Sequence, residues 1–473
     1  MSNDTIQART YVSNFYAGGS PGSATTRSVF VKPSLPYTTN QTAPCPVPAS
    51  NRCLLGSNLA YSVTTDMLDS QTMLGIDAPE RDRVALKLSV TCSPLRTTDL
   101  VEKREINNRT FLVWHLGMVG DAEHTFLYNT ETPRTGVSYK IATVAALAPG
   151  FNSSLAGDWK PIADFNRTDA HVSVFFLSQN NLGYFTPVSD PWFSANVNVS
   201  VGSINLFHTD SAVTTIGCAE QYQMCNPQTG TCTKPAGYAW LRDSILIENE
   251  NTLGLNFAQR ATASRLVFAI ASTGASSTVQ VLGTGALWAN SLVFNGNLAP
   301  GMPDNQWQAE VLGWFQTSLA RIQAYVVDFA SNAGKLGALG SVLSPHDGQD
   351  ELSLALRRQC RSQLVQTVGE VQNFNFVGVA IVICFSSALI LLDLVLEPLV
   401  SLMCRRRNAW RCITEKARQA DNKLHLLRMA LANKNGSDWE LGSRGVPVRS
   451  GQGDFERPVV HEQRSLVSYE VGR

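Results

Sequence analysis

Apolar and polar residues alternate along the first half of the chain and then give way to helical spacings. In VALKLSVTC (84–92), Val84, Leu86, Leu88, Val90 and Cys92 alternate with Ala85, Lys87, Ser89 and Thr91. That two-residue period is the mark of a half-buried strand. Runs of the same kind occupy Phe111–His115, Val137–Thr143, Val172–Leu177 and Phe193–Val201, with Gly, Pro and Asn clusters between them. In the last run Val197, Val199 and Val201 fall on one side and Asn196, Asn198 and Ser200 on the other, which puts Asn198 on a solvent face. Short strands with no helical spacing between them predict an antiparallel, sandwich-like β domain over 61–235. Residues 1–60, rich in Ser, Thr, Gly and Pro, show no period and predict an irregular segment.

From 236 to 372 the spacing becomes helical, so the fold class expected is α+β. The Ala-rich stretches 255–273 and 276–294 read as helices. A clearer helix opens at Met302-Pro303-Asp304, with Asp304 as its N-cap. Trp307, Val311, Phe315, Leu319, Ile322, Val326 and Phe329 then recur at intervals of four and three, a stripe suited to packing on its own domain. Gly334 to Pro345 is a Gly-rich connector, and Leu352–Val371 leads to the longest apolar run.

That run, Phe376 to Leu396, carries no charge between Asn375 and Leu392. Its 21 residues rise about 31 Å as a helix, one hydrocarbon thickness. Its Phe, Val, Ile and Leu outweigh the roughly +3 kcal/mol that Asp393 would add at a bilayer centre. A transmembrane helix over 375–397 is predicted. Charge then sets orientation: residues 1–374 hold 24 Lys/Arg against 28 Asp/Glu, whereas the tail 404–473 holds 14 against 8 and begins Cys404-Arg405-Arg406-Arg407. The positive-inside rule places the tail in the cytosol and the large N-terminal part outside or in a lumen; the plasma membrane is expected ahead of an internal one. A basic tail beside a bilayer meets anionic lipid rather than nucleic acid.

Two further patterns agree. Asn-x-Ser/Thr acceptors stand at Asn3, Asn40, Asn108, Asn152, Asn166 and Asn198 before the span and only at Asn435 after it. Asn40, Asn108, Asn152, Asn166 and Asn198 are therefore the expected glycosylation sites. Seven of ten cysteines also precede the span, as an oxidising compartment allows. The opening MSNDTIQARTYVSNFYAGGSPGS holds no secretory h-region, so either a signal sequence lies upstream of Met1, the reading expected here, or the N-terminal part is cytosolic and the orientation is inverted.

The cysteines are candidate staples. In Cys218-AEQYQM-Cys225-NPQTGT-Cys232 the spacing suits no zinc site, and the nearest imidazole, His208, lies ten residues before Cys218. Asn226-Pro227 and Thr229-Gly230 are turn dipeptides, so Cys225 and Cys232 can close a small disulfide loop. Cys218 would then reach Cys360 or Cys92. Cys45 and Cys53 complete the disulfide candidates, and the odd count leaves one cysteine without a partner in the chain.

These residues, CAEQYQMCNPQTGTC, together with NRTDAHVSVFFLS and DPWFSA (166–195), PDNQWQAEVLGWFQTSLARIQ (303–323), LEPLV (396–400) and WELGSRGVPV (439–448), resemble a group of fungal, uncharacterised single-span membrane proteins. The resemblance runs from about residue 150 to 450. It implies an ectodomain, a helix and a cytosolic tail with no established activity, and additional hydrophobic sequence at the N-terminus, which this chain lacks.

No hydrolase elbow, metalloprotease, P-loop or dinucleotide motif occurs, and no cofactor or metal is expected. The histidines show no paired spacing; His115 and His171 lie in strand-like runs. Asp158, Asp164, Asp169 and Asp190, each near an aromatic, His or Pro, could supply a carboxylate pair for glycoside hydrolysis. The expected function is a membrane-anchored ectodomain with a binding or structural role toward an extracellular ligand or wall polysaccharide; the alternative is a membrane-anchored carbohydrate-active hydrolase. In the tail, Trp410, Ile413, Ala417, Ala420, Leu424, Leu427 and Leu431 keep a three-four spacing that predicts a helix over 408–433. Such a helix would lie on the inner leaflet, or join a second copy or a cytosolic partner through 410–431. Cys404 and Cys412 are juxtamembrane palmitoylation candidates.

Overall fold

The computed structural model describes residues 2–16, 28–131, 138–146, 159–246, 253–331, 351–359, 362–366, 376–406, 439–441 and 447–449. Its centre is an eight-stranded antiparallel sheet. Strands β1 (Tyr37–Ala43), β2 (Ala60–Thr65), β4 (Ala85–Pro94), β15 (Thr214–Asn226), β11 (His171–Ser178) and β9 (Lys140–Ala146) follow one another in that order. The two-residue strand β3 (Leu68–Asp69) pairs with β4, and β16 (Thr231–Cys232) pairs with β15. The alternation in β4 is realised: Leu86, Leu88, Val90 and Cys92 enter the core.

Strand β11 shows why this is not a simple sandwich. All eight residues of HVSVFFLS are buried, so both faces of the sheet are covered. Phe175 and Leu177 point into the larger core, shared with the helices. Val172, Val174 and Phe176 point into a second core with Trp114, Tyr128, Trp159 and Phe165. This second core is closed by the sheet of β5 (Val101–Ile106), β6 (Arg109–Trp114) and β8 (Phe126–Asn129), with β7 (Gly117–Val119) paired to β10 (Trp159–Pro161). Phe126 stacks on Phe176 at 4.3 Å. Within the region expected to be sandwich-like, 61–235, the large sheet carries strands on one face and helices on the other.

The helical side contains α2 (Tyr238–Leu246), α3 (Phe257–Ile270), α4 (Ala275–Leu282), α5 (Gln306–Ser331) and α6 (Glu351–Gln359). Helix α3 opens with a capping box, in which Asn256 and Gln259 each accept the other's backbone N–H. The single helix read over 276–294 is broken: Gly283, at φ 55°, ends α4, and 3₁₀ turns follow. Helix α5 buries its whole predicted stripe and more, with Trp314 edge-on to Trp192 and 4.7 Å from Phe175. It starts two residues beyond Asp304, because the carboxylate serving its first turn comes from elsewhere: Asp190 Oδ2 accepts the Trp307 N–H at 2.8 Å.

The segment 1–60 is not irregular throughout. Besides β1 it holds α1 (Ser2–Phe15), which packs on α5 through Ala8 and Val12. The Arg9 guanidinium lies 3.5 Å from the Trp288 ring centroid, in a slot that a Cβ on Gly313 would fill. Residues 1–370 form one compact unit and 371–473 another. The second contains α7 (Phe376–Arg406), an unbroken helix that continues past Pro398, and a hairpin of β18 (Trp439–Leu441) with β19 (Pro447–Arg449). Within α7, Val377–Leu396 is long and apolar enough to cross a membrane, and none of it is buried against protein.

Candidate functional site

Strand β15 places the cysteines. Cys218 lies directly across from Cys92 of β4, and these two are joined, with Cα atoms 4.1 Å apart and both side chains fully buried. Seven residues on, Cys225 faces Cys232 across the β15–β16 hairpin and is bonded to it. Gly230, at φ 70°, turns that hairpin. A third bond joins Cys45 to Cys53. Cys360 lies outside the described residues, and Cys384 on α7 is a free, exposed thiol. Nothing in the spacing could choose between Cys92 and Cys360 for Cys218; only the register of β4 against β15 does.

Among the acceptors, Asn40 on β1, Asn108 in the β5–β6 turn, Asn166 and Asn198 are exposed, while Asn152 and Asn435 lie outside the described residues. So do Cys412 and the helix read over 408–433; Cys404 falls within α7.

The carboxylates considered for hydrolysis have other partners. Asp164 is 2.7 Å from Arg52 Nε, and Arg52 also binds Asp99. Asp169 pairs with Arg167 at 2.6 Å. Asp190 is fully buried and accepts three backbone N–H groups, from Trp192, Phe193 and Trp307. Burial pushes its acid up to about 6 against those bonds. Asp158 lies outside the described residues. Two buried glutamates that sequence reasoning missed act like Asp190. Glu310 accepts Trp288 N, Ala289 N and Gln306 Nε2, and burial lifts it to about 7. Glu220 accepts Ala275 N at the start of α4 and the Tyr222 hydroxyl.

His171 sits opposite Glu220 in the sheet, wholly enclosed, and burial lowers its pKa. His115 touches Glu102 on the surface. The cavity beside Glu220, Tyr222, Gly274 and Phe315 measures about 20 Å³, room for one water rather than a substrate.

The surface that stands out is a second sheet, of β13 (Val197–Val201), β14 (Ile204–His208), β12 (Gly183–Tyr184) and β17 (Leu298–Ala299), in that order. Phe207 pairs with Tyr184 and packs on the main core, so its side of the sheet faces inward there, while Asn198, Ser200 and Asn205 on that same side are exposed. The alternate positions, Val199 with Leu206 and Val201 with Ile204, face out. Val197, Val199, Val201 and Ile204 are 41–57 % exposed. Beside them Phe185 and Phe294 stack at 5.9 Å, both at least 40 % exposed. No Asp, Glu, Lys or Arg occurs between Pro191 and Thr209. The sequence showed the Val alternation; that its apolar side stays uncovered is a tertiary fact.

Among the described residues, the chain is thus a mixed α+β protein with antiparallel sheets, three disulfides and one exposed helix apolar and long enough to span a membrane. Compared with protein-family models, curated proteins and solved structures, it matches none.

Proposed function

We propose that this is a single-pass plasma-membrane protein whose unit 1–370 is a glycosylated, disulfide-tied ectodomain with a binding role, and whose basic C-terminal tail is cytosolic. The observation that carries the reading is the outward apolar face of the β13–β14–β12–β17 sheet in a chain that also holds an unburied apolar helix. Exposed apolar patches rimmed by polar groups mark interaction sites. The charge asymmetry about the span and the exposure of Asn40, Asn108, Asn166 and Asn198 support the orientation. The resemblance to fungal single-span proteins belongs to the same proposal. Treatment of the full-length protein with a glycan-removing enzyme is expected to lower its mass by several glycans, with 1–370 resistant to protease in sealed, cytosolic-side-out vesicles. An unchanged mass with 1–370 digested would reverse the orientation.

A further inference from the structure

The outward face of the β13–β14–β12–β17 sheet is an unusual place to leave apolar side chains. Phe185, Val197, Val199, Val201, Ile204 and Phe294 are each 40–57 % exposed. Together they leave on the order of 500 Å² of apolar surface open, the size class in which a monomer's largest patch is commonly functional. Charge offers no handle for an acidic or basic partner, since 191–209 contains none. A complementary surface must be equally apolar and uncharged, and the same face on another copy meets that requirement by construction.

The sheet lies at the N-terminal end of α5, where Asp190, from the loop between β12 and β13, holds the Trp307 N–H. The segment 362–366 lies at the other end of α5, where Arg265 bonds both Val326 O and Gln363. Nineteen residues of helix separate Trp307 from Val326, about 28 Å. The face therefore lies at the opposite end of α5 from the segment 362–366. The polar side of the same hairpin, with Asn198, Ser200 and Asn205, is exposed as well. A glycan on Asn198 would cover that side and leave the apolar side free.

We infer that the outward face of this sheet is a homophilic docking surface, occupied by the same face of a second copy of this chain. The inference rests on the binding role proposed above and names the partner. Two such faces bury about 1,000 Å², the lower bound of a specific interface, so the contact is weak in free solution. Anchoring both copies by their apolar helices raises the effective concentration enough to populate it.

The test uses full-length protein reconstituted in liposomes, with donor- and acceptor-labelled copies and energy transfer followed against protein-to-lipid ratio. Transfer is expected in the wild type. Val199→Asp combined with Ile204→Asp should require at least tenfold more protein for the same transfer. Ser200→Asp, on the polar side, should leave it unchanged. Both variants must retain the three disulfides on non-reducing peptide maps, which shows that they are folded. Transfer that persists unchanged in the double variant assigns association to another surface and overturns the inference. Absence of transfer in the wild type overturns it too, and a Val201→Cys variant then separates the two levels. If a membrane-impermeant maleimide labels that cysteine in dilute vesicles, the face is open and a binding role toward another apolar partner survives. If it does not, the chain covers its own face and both readings fall.

Discussion

Glu310 and Asp190 carry an unusual burden for carboxylates: each holds together backbone that it does not belong to. Glu310 ties the turn at Trp288 and Ala289 to α5, and Asp190 ties the loop before β13 to the same helix. Burial raises Glu310 from 4.5 to about 7 and Asp190 from 3.8 to about 6. For an acid raised by folding, the native state binds the proton more tightly than the unfolded chain. Stability is therefore lost as pH climbs from the unfolded to the folded value, here between about 4 and 7. His171 works the other way, since its lowered pKa removes stability as pH falls below 6.5. With two carboxylates against one imidazole, the N-terminal unit should melt higher at pH 5.5 than at pH 7.5. Glu310→Gln supplies only one acceptor oxygen for three donors. It should lower stability by about 1–3 kcal/mol and flatten the pH dependence. Thermal melts at both pH values decide this; an unchanged slope in the variant would show that Glu310 is not the titrating group.

At the scale of elements, β15 is the strand around which the N-terminal unit is fastened. It pairs with β4 over ten residues and with β11 over seven, and two of the three disulfides start from it. The Cys92–Cys218 bond closes a loop of 126 residues and Cys225–Cys232 one of 7. On the chain-entropy account the first is worth about 4–5 kcal/mol and the second about 2–3. Replacing both members of each pair by serine should therefore lower the denaturation midpoint more for Cys92 and Cys218 than for Cys225 and Cys232. Equal losses in urea titrations would mean that native packing around the buried bond, rather than loop closure, sets its worth. Helix α1 is the opposite kind of element. Its sequence has only a weak apolar face, and it is held by what meets it: Trp288 under Arg9, Gln323 against Tyr16, and the space left by Gly313. Helices that short are marginal alone and form when tertiary contacts secure them.

Across the whole molecule, the two units treat their apolar residues differently. The first buries its apolar residues in two cores on either side of one sheet, whereas Val377–Leu396 buries none of its length against protein. A side chain such as Leu391, 61 % exposed, is accounted for by the membrane span proposed above. The proposal extends to the tail, where 404–435 combines Arg405–Arg407 and further basic residues with the apolar spacing from Trp410 to Leu431. A peptide of that range should gain helicity on vesicles of anionic lipid and lose it as salt rises. If it stays disordered there at low salt, a protein partner for 410–431 is the better account.

What the sequence determined by itself is what local periodicity encodes. The strands at Val84–Cys92 and Val172–Leu177, the stripe of α5 and the apolar run of α7 all reappear, because a period of two, of three to four or none at all is fixed by which side each residue presents. The Cys225–Cys232 pairing was legible for the same reason, since turn residues between neighbours decide it. The tertiary structure alone decided the rest. The double-sided burial of β11, the choice of Cys92 for Cys218, and the capping of α4 by Glu220 of a distant strand and of α5 by Asp190 of a distant loop depend on how segments far apart in the chain meet. The apolar face of β13 and β14 is of this kind too. Alternation fixes that Val197, Val199 and Val201 share a side, but whether that side is covered depends on what the remainder of the fold lays over it.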